Sequence, residues 1–220
     1  MYQLILFDLD GTVINSIPLI LETYHHTYRS LGLTLPDDET IKNGIGLTLK
    51  SVVRDNIPPE LQTTFLERFR AYNEARLETH IGLFIPVWHL LTGIRALGIP
   101  MGIMTSKRRE ATLRSLDQFR LTPFFRWIRT ADDSQAHKPS PEPILQAVQK
   151  AEQDLCRSIP IKQVLYIGDN TMDIQSANRA GCDCGVVRWS QIEPERLSKA
   201  GSWFWIDSVA DIRRVPDETD

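Results

Sequence analysis

A four-residue apolar run, Leu4-Ile5-Leu6-Phe7, ends abruptly in Asp8-Leu9-Asp10-Gly11-Thr12. Four residues are too few for a helix, and a run apolar at every position lacks the alternation of a half-solvated strand. A strand covered on both faces inside a parallel sheet requires that pattern. Further short runs follow at Ile99–Thr105, Trp127–Thr130, Gln163–Gly168, Cys184–Val187 and Trp203–Ile206, with helical patterns between them. Val87, Leu90, Leu91, Ile94 and Leu97 keep helical spacing up to Gly98, and Pro141 opens a helix carrying Ile144, Leu145 and Val148. Strands alternating with helices predict an α/β fold with a doubly wound, Rossmann-like parallel sheet.

Residues 16–83 break this alternation with helical patterns and no convincing strand. The first helix is predicted over about residues 17–31, stopping at Gly32. The last is predicted to begin at Pro58-Pro59 and to carry Leu61, Phe65, Phe69 and Tyr72 on one stripe, and Gly44 and Gly46 mark a loop between them. The expected organisation is a core of residues 1–15 and 84–220 with an α-helical cap, 16–83, inserted into it. The insertion leaves just after the two aspartates and returns near Phe84-Ile85-Pro86, the position of a lid over the end of the first strand. The final Val215–Asp220 reads as a polar tail that frays.

The formal net charge of -3 supplies no basic footprint for nucleic acid or anionic membranes, so small solutes are the expected partners. Three cysteines, Cys156, Cys182 and Cys184, suit reduced thiols better than a disulfide framework, and Cys182 and Cys184 read as small core residues. No run of eighteen apolar residues occurs, and a first segment containing Asp8 and Asp10 does not fit a secretory leader; a cytoplasmic protein is expected. Nothing in the sequence fixes an oligomeric state.

In an open α/β sheet ligands bind beyond the carboxyl ends of the strands, so the residues that follow each run matter most. They are Asp8-Leu9-Asp10-Gly11-Thr12, then Thr105-Ser106-Lys107, His137-Lys138-Pro139 near a helix start, and Asp169-Asn170-Thr171-Met172-Asp173. Several carboxylates at one site repel each other and call for a cation, and oxygen-only ligands favour Mg²⁺ over zinc. Asp8 and Asp169 are the natural ligands. Lys138 and the Thr105 hydroxyl would serve a phosphate's oxygens, with Ser106 as a further short hydrogen-bonding group. Asp8 is then the candidate nucleophile of a phosphoryl transfer. Asp10, two residues on and pointing the same way, is the candidate general acid and base.

Taken in order, DLDGT, an apolar strand ending in Thr105, Lys138-Pro139 and Gly168-Asp169-x-x-x-Asp173 resemble the four signatures of the haloacid dehalogenase superfamily, over most of the chain. The resemblance implies Asp8 as nucleophile, Asp10 as general acid and base, and Thr105 and Lys138 as phosphate binders. It also implies Mg²⁺ held by the Asp8 side chain, the Asp10 backbone carbonyl and Asp169, with Asp173 supporting that metal site, and a mobile cap after the first signature. Members that cleave carbon–halogen bonds lack the second aspartate, and phosphonate-cleaving members carry a small residue there; Asp10 therefore points to phosphate-ester or anhydride hydrolysis. Within the superfamily the chain resembles phosphoglycolate phosphatases and related pyrophosphatases, the latter through TADDSQAHKPSPEP at residues 130–143, although Ser106 stands where many of the former carry Asn.

The expected function is Mg²⁺-dependent hydrolysis of a small phosphorylated metabolite, phosphoglycolate first and pyrophosphate second. A phosphomutase of the β-phosphoglucomutase kind would use the same two aspartates, and a catalytically idle binding or regulatory protein would have no chemical need for Asp8, Asp10, Lys138 and Asp169 together. Other polar residues have simpler readings. His25 and His26 read as exposed or packed in the cap, His137 has only its neighbour to recommend it, Asp132-Asp133 read as a solvated loop, Lys50 as a solvated helix residue or a contact for an anionic substrate tail, and Trp203-Phe204-Trp205 as a buried strand.

Overall fold

A computed structural model of the chain describes residues 1–213, so the Val215–Asp220 tail lies outside the described residues. In chain order the elements are β1 (Leu4–Phe7), β2 (Ile14–Asn15), α1 (Ile17–Ser30), α2 (Asp38–Gly44), α3 (Leu49–Asn56), α4 (Gln62–His80), β3 (Gly82–Leu83), α5 (Ile85–Ala96), β4 (Met101–Met104), α6 (Arg109–Gln118), β5 (Trp127–Arg129), α7 (Glu142–Leu155), β6 (Val164–Gly168), α8 (Thr171–Ala180), β7 (Asp183–Val187), α9 (Pro194–Ser198), β8 (Phe204–Ile206) and α10 (Val209–Arg213). Six strands form one parallel sheet in the order β5-β4-β1-β6-β7-β8. The doubly wound α/β fold expected from the alternating runs is the one observed.

Strand alternation explains why the runs are apolar throughout. Ile5, Phe7, Met101, Ile103, Leu165 and Ile167 face one layer, where they pack with Val87, Leu91 and Ile94 of α5. Leu4, Leu6, Met104, Val164 and Tyr166 face the other, against Ile144, Ala147 and Val148 of α7 and Ile174 and Ala177 of α8. Each side chain thus leaves water on its own side of the sheet, the dominant favourable term in folding. The register pairs Ile5 with Met101 and Leu4 with Val164, which brings the carboxyl ends of β4, β1 and β6 side by side.

Between β2 and β3 the chain forms α1 to α4, and these carry an apolar cluster of their own. Tyr24 and Tyr28 of α1 meet Phe65 and Phe69 of α4, with ring centroids 4.8 Å apart for Tyr24–Phe69 and 5.2 Å for Tyr28–Phe65. Two details depart from the sequence reading. Residues 82–83 form a strand, pairing antiparallel with β2 at Ile14–Leu83 and Asn15–Gly82. Two residues are too short for any period to register, which is why the reading of 16–83 as strand-free missed it. The buried stripe of α4 is Phe65, Phe69, Asn73 and Leu77, one residue every four, so Tyr72 sits at its edge and donates to Glu22 at 2.6 Å. Pro59–Leu61 form a short 3₁₀ turn ahead of α4 rather than its first turn.

At the far edge of the sheet Trp203, Phe204 and Trp205 are half-buried, not buried, because β8 has a neighbour on one side only. Cys182 and Cys184 are buried and free, and Cys156 is exposed. Among the described residues no helix is long and apolar enough to cross a membrane.

Candidate active site

The three central strands deliver their next residues to one point. Asp8 follows β1, Thr105 follows β4 and Asp169 follows β6, all buried. Lys138 reaches the same point from the loop before α7, with Nζ 2.7 Å from Asp8 Oδ1 and 2.7 Å from Asp173 Oδ1. Carboxylate oxygens of Asp8, Asp169 and Asp173 lie within 4.8 Å of one another. Three buried carboxylates against one ammonium leave excess negative charge where water cannot screen it.

The titration of these groups follows from that placement. Burial, with Asp173 and Asp10 adding to it against the opposing Lys138 charge, pushes Asp8 up to about 6. Burial and the charges of Asp173 and Asp8 hold Asp169 well above the ordinary carboxylate range. Burial alone would lower Lys138, but Asp173 and Asp8 outweigh it and hold its ammonium above the ordinary lysine value.

Asp173 is fully buried, in the first turn of α8. Its Oδ2 accepts from the backbone N–H groups of Asp169 (3.1 Å) and Asn170 (3.0 Å), closing a capping box with Asn170, and its Oδ1 faces Lys138 and the Tyr166 hydroxyl at 3.1 Å. The carboxylate therefore holds the Asp169 loop and the lysine together. Asp169 is fixed from the opposite side, where Oδ1 accepts from the Thr12 hydroxyl at 2.9 Å and the backbone carbonyl accepts from Ser190 at 2.6 Å.

The side chain of Asp10 stands outside the three-carboxylate group. Its Oδ1 takes Lys107 Nζ at 2.9 Å and the Ser16 hydroxyl at 2.5 Å, on the wall of a cavity of about 790 Å³ that Asp8, Thr105 and Ser106 also line. Thr105 Oγ1 accepts from the Lys107 N–H at 3.2 Å. The Ser106 hydroxyl donates to the Gly46 carbonyl at 2.6 Å, and Asn170 Nδ2 donates to Ile45 at 2.9 Å, so the loop after α2 is tied to the sheet beside the carboxylates. Of the simpler readings, Asp132-Asp133 form a 3₁₀ turn in which Asp133 closes a capping box and pairs with Arg109 at 2.6 Å. His25 binds Asp38 at 2.6 Å and His26 stacks on Tyr72, both away from this cavity.

Sequence reasoning brought together Asp8, Asp10, Thr105, Ser106, Lys138, Asp169 and Asp173, and the fold places all seven around this end of the sheet. It missed Thr12, Ser16, Lys107 and Tyr166 as partners. The first was visible as the last letter of DLDGT, and Lys107 as the charged residue two beyond Thr105. Gly11 has a steric reason to be glycine: its φ is +82°, and a Cβ there would stand 2.4 Å from Asp169 Oδ2. Gly11→Ala is expected to displace the Asp169 carboxylate and lower turnover about 100-fold, measured as kcat on any phosphate substrate the wild type accepts.

Comparisons with known proteins give the family. Residues 5–187 match the model of the haloacid dehalogenase-like hydrolase family. The pyrophosphatase PpaX of Bacillus pumilus is 32% identical over 211 residues, covering 96% of this chain and 94% of the relative. A phosphoglycolate phosphatase of Pseudomonas savastanoi pv. phaseolicola is 28% identical, covering 94% and 77%. A haloacid dehalogenase-like family hydrolase of Streptococcus pneumoniae superposes with a TM-score of 0.80 at 23% identity, over 96% of this chain and 97% of that one, and so shares the fold. The chain belongs to the haloacid dehalogenase-like hydrolases. Within that family it is an enzyme of the phosphatase kind, the activity for which its relatives are named.

Proposed function

We propose that the protein is a Mg²⁺-dependent phosphatase of the cytoplasm that hydrolyses a small phosphorylated metabolite of the phosphoglycolate type through an aspartyl-phosphate on Asp8. The observation that carries this reading is the buried group of Asp8, Asp169 and Asp173 around Lys138, at the carboxyl ends of adjacent parallel strands. The donor set is all oxygen, buried and over-charged, which fits a hard divalent cation. The Asp8 and Asp169 side chains and the Asp10 backbone carbonyl would hold it, and it would neutralise charge on the phosphate. Asp173, whose oxygens already have four partners, serves by fixing the Asp169 loop and Lys138.

Lys138 holds the Asp8 carboxylate in place and, with Thr105, receives the phosphate oxygens. An Asp8 oxygen attacks phosphorus as the bond to the leaving oxygen breaks, and Asp10 gives that oxygen its proton. Water then attacks the phosphoryl group on Asp8, Asp10 takes the water's proton, and the Asp8–phosphate bond breaks to release inorganic phosphate. Residues 16–83 act as the cap, with the loop around Gly46 closing on Ser106 and Asn170. Phosphate release from a panel of phosphoglycolate, pyrophosphate, sugar phosphates and an aryl phosphate, with Mg²⁺ or chelator, tests the reading; release that ignores the chelator would overturn the metal requirement. Inorganic pyrophosphate is the second reading, favoured by the pyrophosphatase relative and by residues 130–143.

The raised carboxyls predict the stability of the metal-free protein. A carboxyl whose folded pKa exceeds its unfolded value contributes stability below the unfolded value and loses it as pH rises through the folded one. For Asp8 that window runs from 3.8 to about 6. In chelator the midpoint of thermal unfolding is therefore expected to fall between about pH 4 and pH 7, with Mg²⁺ restoring it at pH 7. Melting curves across that range check both signs.

A further inference from the structure

The turn that follows β7 binds two of the loops that carry the carboxylates. It is itself pinned to the sheet, since the Arg188 N–H donates to the Ile206 carbonyl at 2.9 Å and the Ser190 N–H to the Val187 carbonyl at 3.0 Å. From this turn the Trp189 indole N–H donates to the backbone carbonyl of Thr12 at 3.0 Å, and the Ser190 hydroxyl donates to the backbone carbonyl of Asp169 at 2.6 Å. Thr12 in turn donates through its hydroxyl to Asp169 Oδ1 at 2.9 Å. Three hydrogen bonds thus close a circuit through Thr12, Asp169 and the Trp189-Ser190 pair, joining segments that lie 177 and 21 residues apart in sequence.

Thr12 and Asp169 are both buried, so a carbonyl that lost its donor there would be left without ready access to water. The circuit also has little slack, because a Cβ on Gly11 would already stand 2.4 Å from Asp169 Oδ2. The Trp189 ring makes a further contact: it lies on Phe84, with ring centroids 5.5 Å apart, and Phe84 directly follows β3, the strand by which the chain returns from α4. Trp189 and Ser190 are not among the described residues that line the cavity, so whatever they do for a substrate they do through Thr12 and Asp169.

We infer that Trp189 and Ser190 are positioning residues for the reaction: together they lock the turn that follows Asp8 and Asp10 to Asp169, so that the nucleophile, the general acid and the cation ligand keep one relative geometry. This rests on the phosphatase reading above and adds to it two residues that touch neither the substrate nor the cation. The side chains suit the task. An indole N–H is a donor only, so its one polar atom is committed to the Thr12 carbonyl while the ring packs on Phe84, and the Ser190 hydroxyl, which gives its proton to Asp169, also accepts from the Ile192 N–H at 3.1 Å. Because rate depends steeply on the placement of reacting groups, a loosened clamp lowers kcat, and because the cavity wall is unchanged it leaves KM in place.

The test measures kcat and KM on the best phosphate substrate of the panel and, without substrate, the melting temperature as Mg²⁺ is added, in wild type, Trp189→Phe, Ser190→Ala, Ser190→Thr and Trp205→Phe. Trp189→Phe keeps a ring for Phe84 and loses the donor to Thr12, and Ser190→Ala loses the donor to Asp169. In both, kcat is expected to fall at least about tenfold with KM within about twofold of wild type. The Mg²⁺ concentration giving half of the rise in melting temperature is expected to increase severalfold in both, because Asp169 is held less firmly. Ser190→Thr, which keeps the hydroxyl, is expected to restore kcat and the Mg²⁺ midpoint, and Trp205→Phe, a half-buried indole of β8 outside the circuit, to leave both unchanged. An unmoved kcat in Trp189→Phe and Ser190→Ala, a fall in kcat without a shift of the Mg²⁺ midpoint, or an equal fall in Trp205→Phe overturns the clamp and makes the two residues merely structural. Wild-type protein that hydrolyses nothing in the panel defeats the phosphatase reading and the clamp's part in it, whereas wild-type hydrolysis with unmoved variants defeats the clamp alone.

Discussion

Asp8→Asn is expected to lower phosphate release from every substrate by at least about 10⁴-fold while the protein stays folded. Asparagine has nearly the volume of aspartate, so the packing at the end of β1 survives, and Lys138 keeps Asp173 as its counter-charge at 2.7 Å. The lost term is the proposed nucleophile, because a neutral amide cannot form the acyl phosphate that the proposed mechanism requires. Asp10→Asn differs in kind. General acid and base work is worth roughly 10²–10⁴-fold, and the variant retains an intact nucleophile. With an activated leaving group, which needs no proton, Asp10→Asn is therefore expected to phosphorylate Asp8 and then stall. Intact-protein mass spectrometry after a rapid acid quench checks this: a single added phosphoryl group should accumulate in Asp10→Asn and never in Asp8→Asn. Full activity in Asp8→Asn would remove Asp8 from the chemistry.

What the sequence made legible, and what it hid, follows from the range of the interactions. Asp8, Thr105 and Asp169 could be placed because each ends a short run that is apolar at every position, and such runs lie side by side in a parallel sheet. The depth of Lys138 could not. Its burial depends on two carboxylates, 130 residues before it and 35 after it, arriving at 2.7 Å. The same holds for Thr12 with Asp169, separated by 157 residues, and Lys107 with Asp10, separated by 97. Side chains so far apart leave no local period. The α4 stripe was misjudged for a different reason: Asn73 is buried because Nδ2 donates to Thr23 Oγ1 at 3.1 Å, and a polar residue inside a helix's buried face defeats a reading based on apolar spacing.

Two aspartates of the same cluster are expected to answer mutation with opposite signs. Asp173→Ala removes the acceptor for the backbone N–H groups of Asp169 and Asn170, leaves Lys138 with Asp8 alone, and opens a void at a fully buried position. Relief of repulsion works the other way, since the Asp173 charge helps to raise both Asp8 and Asp169. The losses outweigh it: breaking one side of a buried ion pair typically costs about 3–5 kcal/mol, and each orphaned buried N–H adds roughly 1–3. For a chain of this size a melting temperature lower by about 10 °C or more is expected, in metal-free and Mg²⁺-supplied protein alike. Asp169→Asn keeps an oxygen for the Thr12 hydroxyl and removes a carboxyl whose raised pKa marks its charge as unfavourable in the metal-free fold. It is expected to melt at or above the wild-type temperature in chelator at pH 7, to lose the rise on adding Mg²⁺, and to lose activity. If both variants shifted melting in the same direction without metal, Asp169 would be a structural carboxylate like Asp173, and the division of labour between a cation ligand and a loop anchor would not stand.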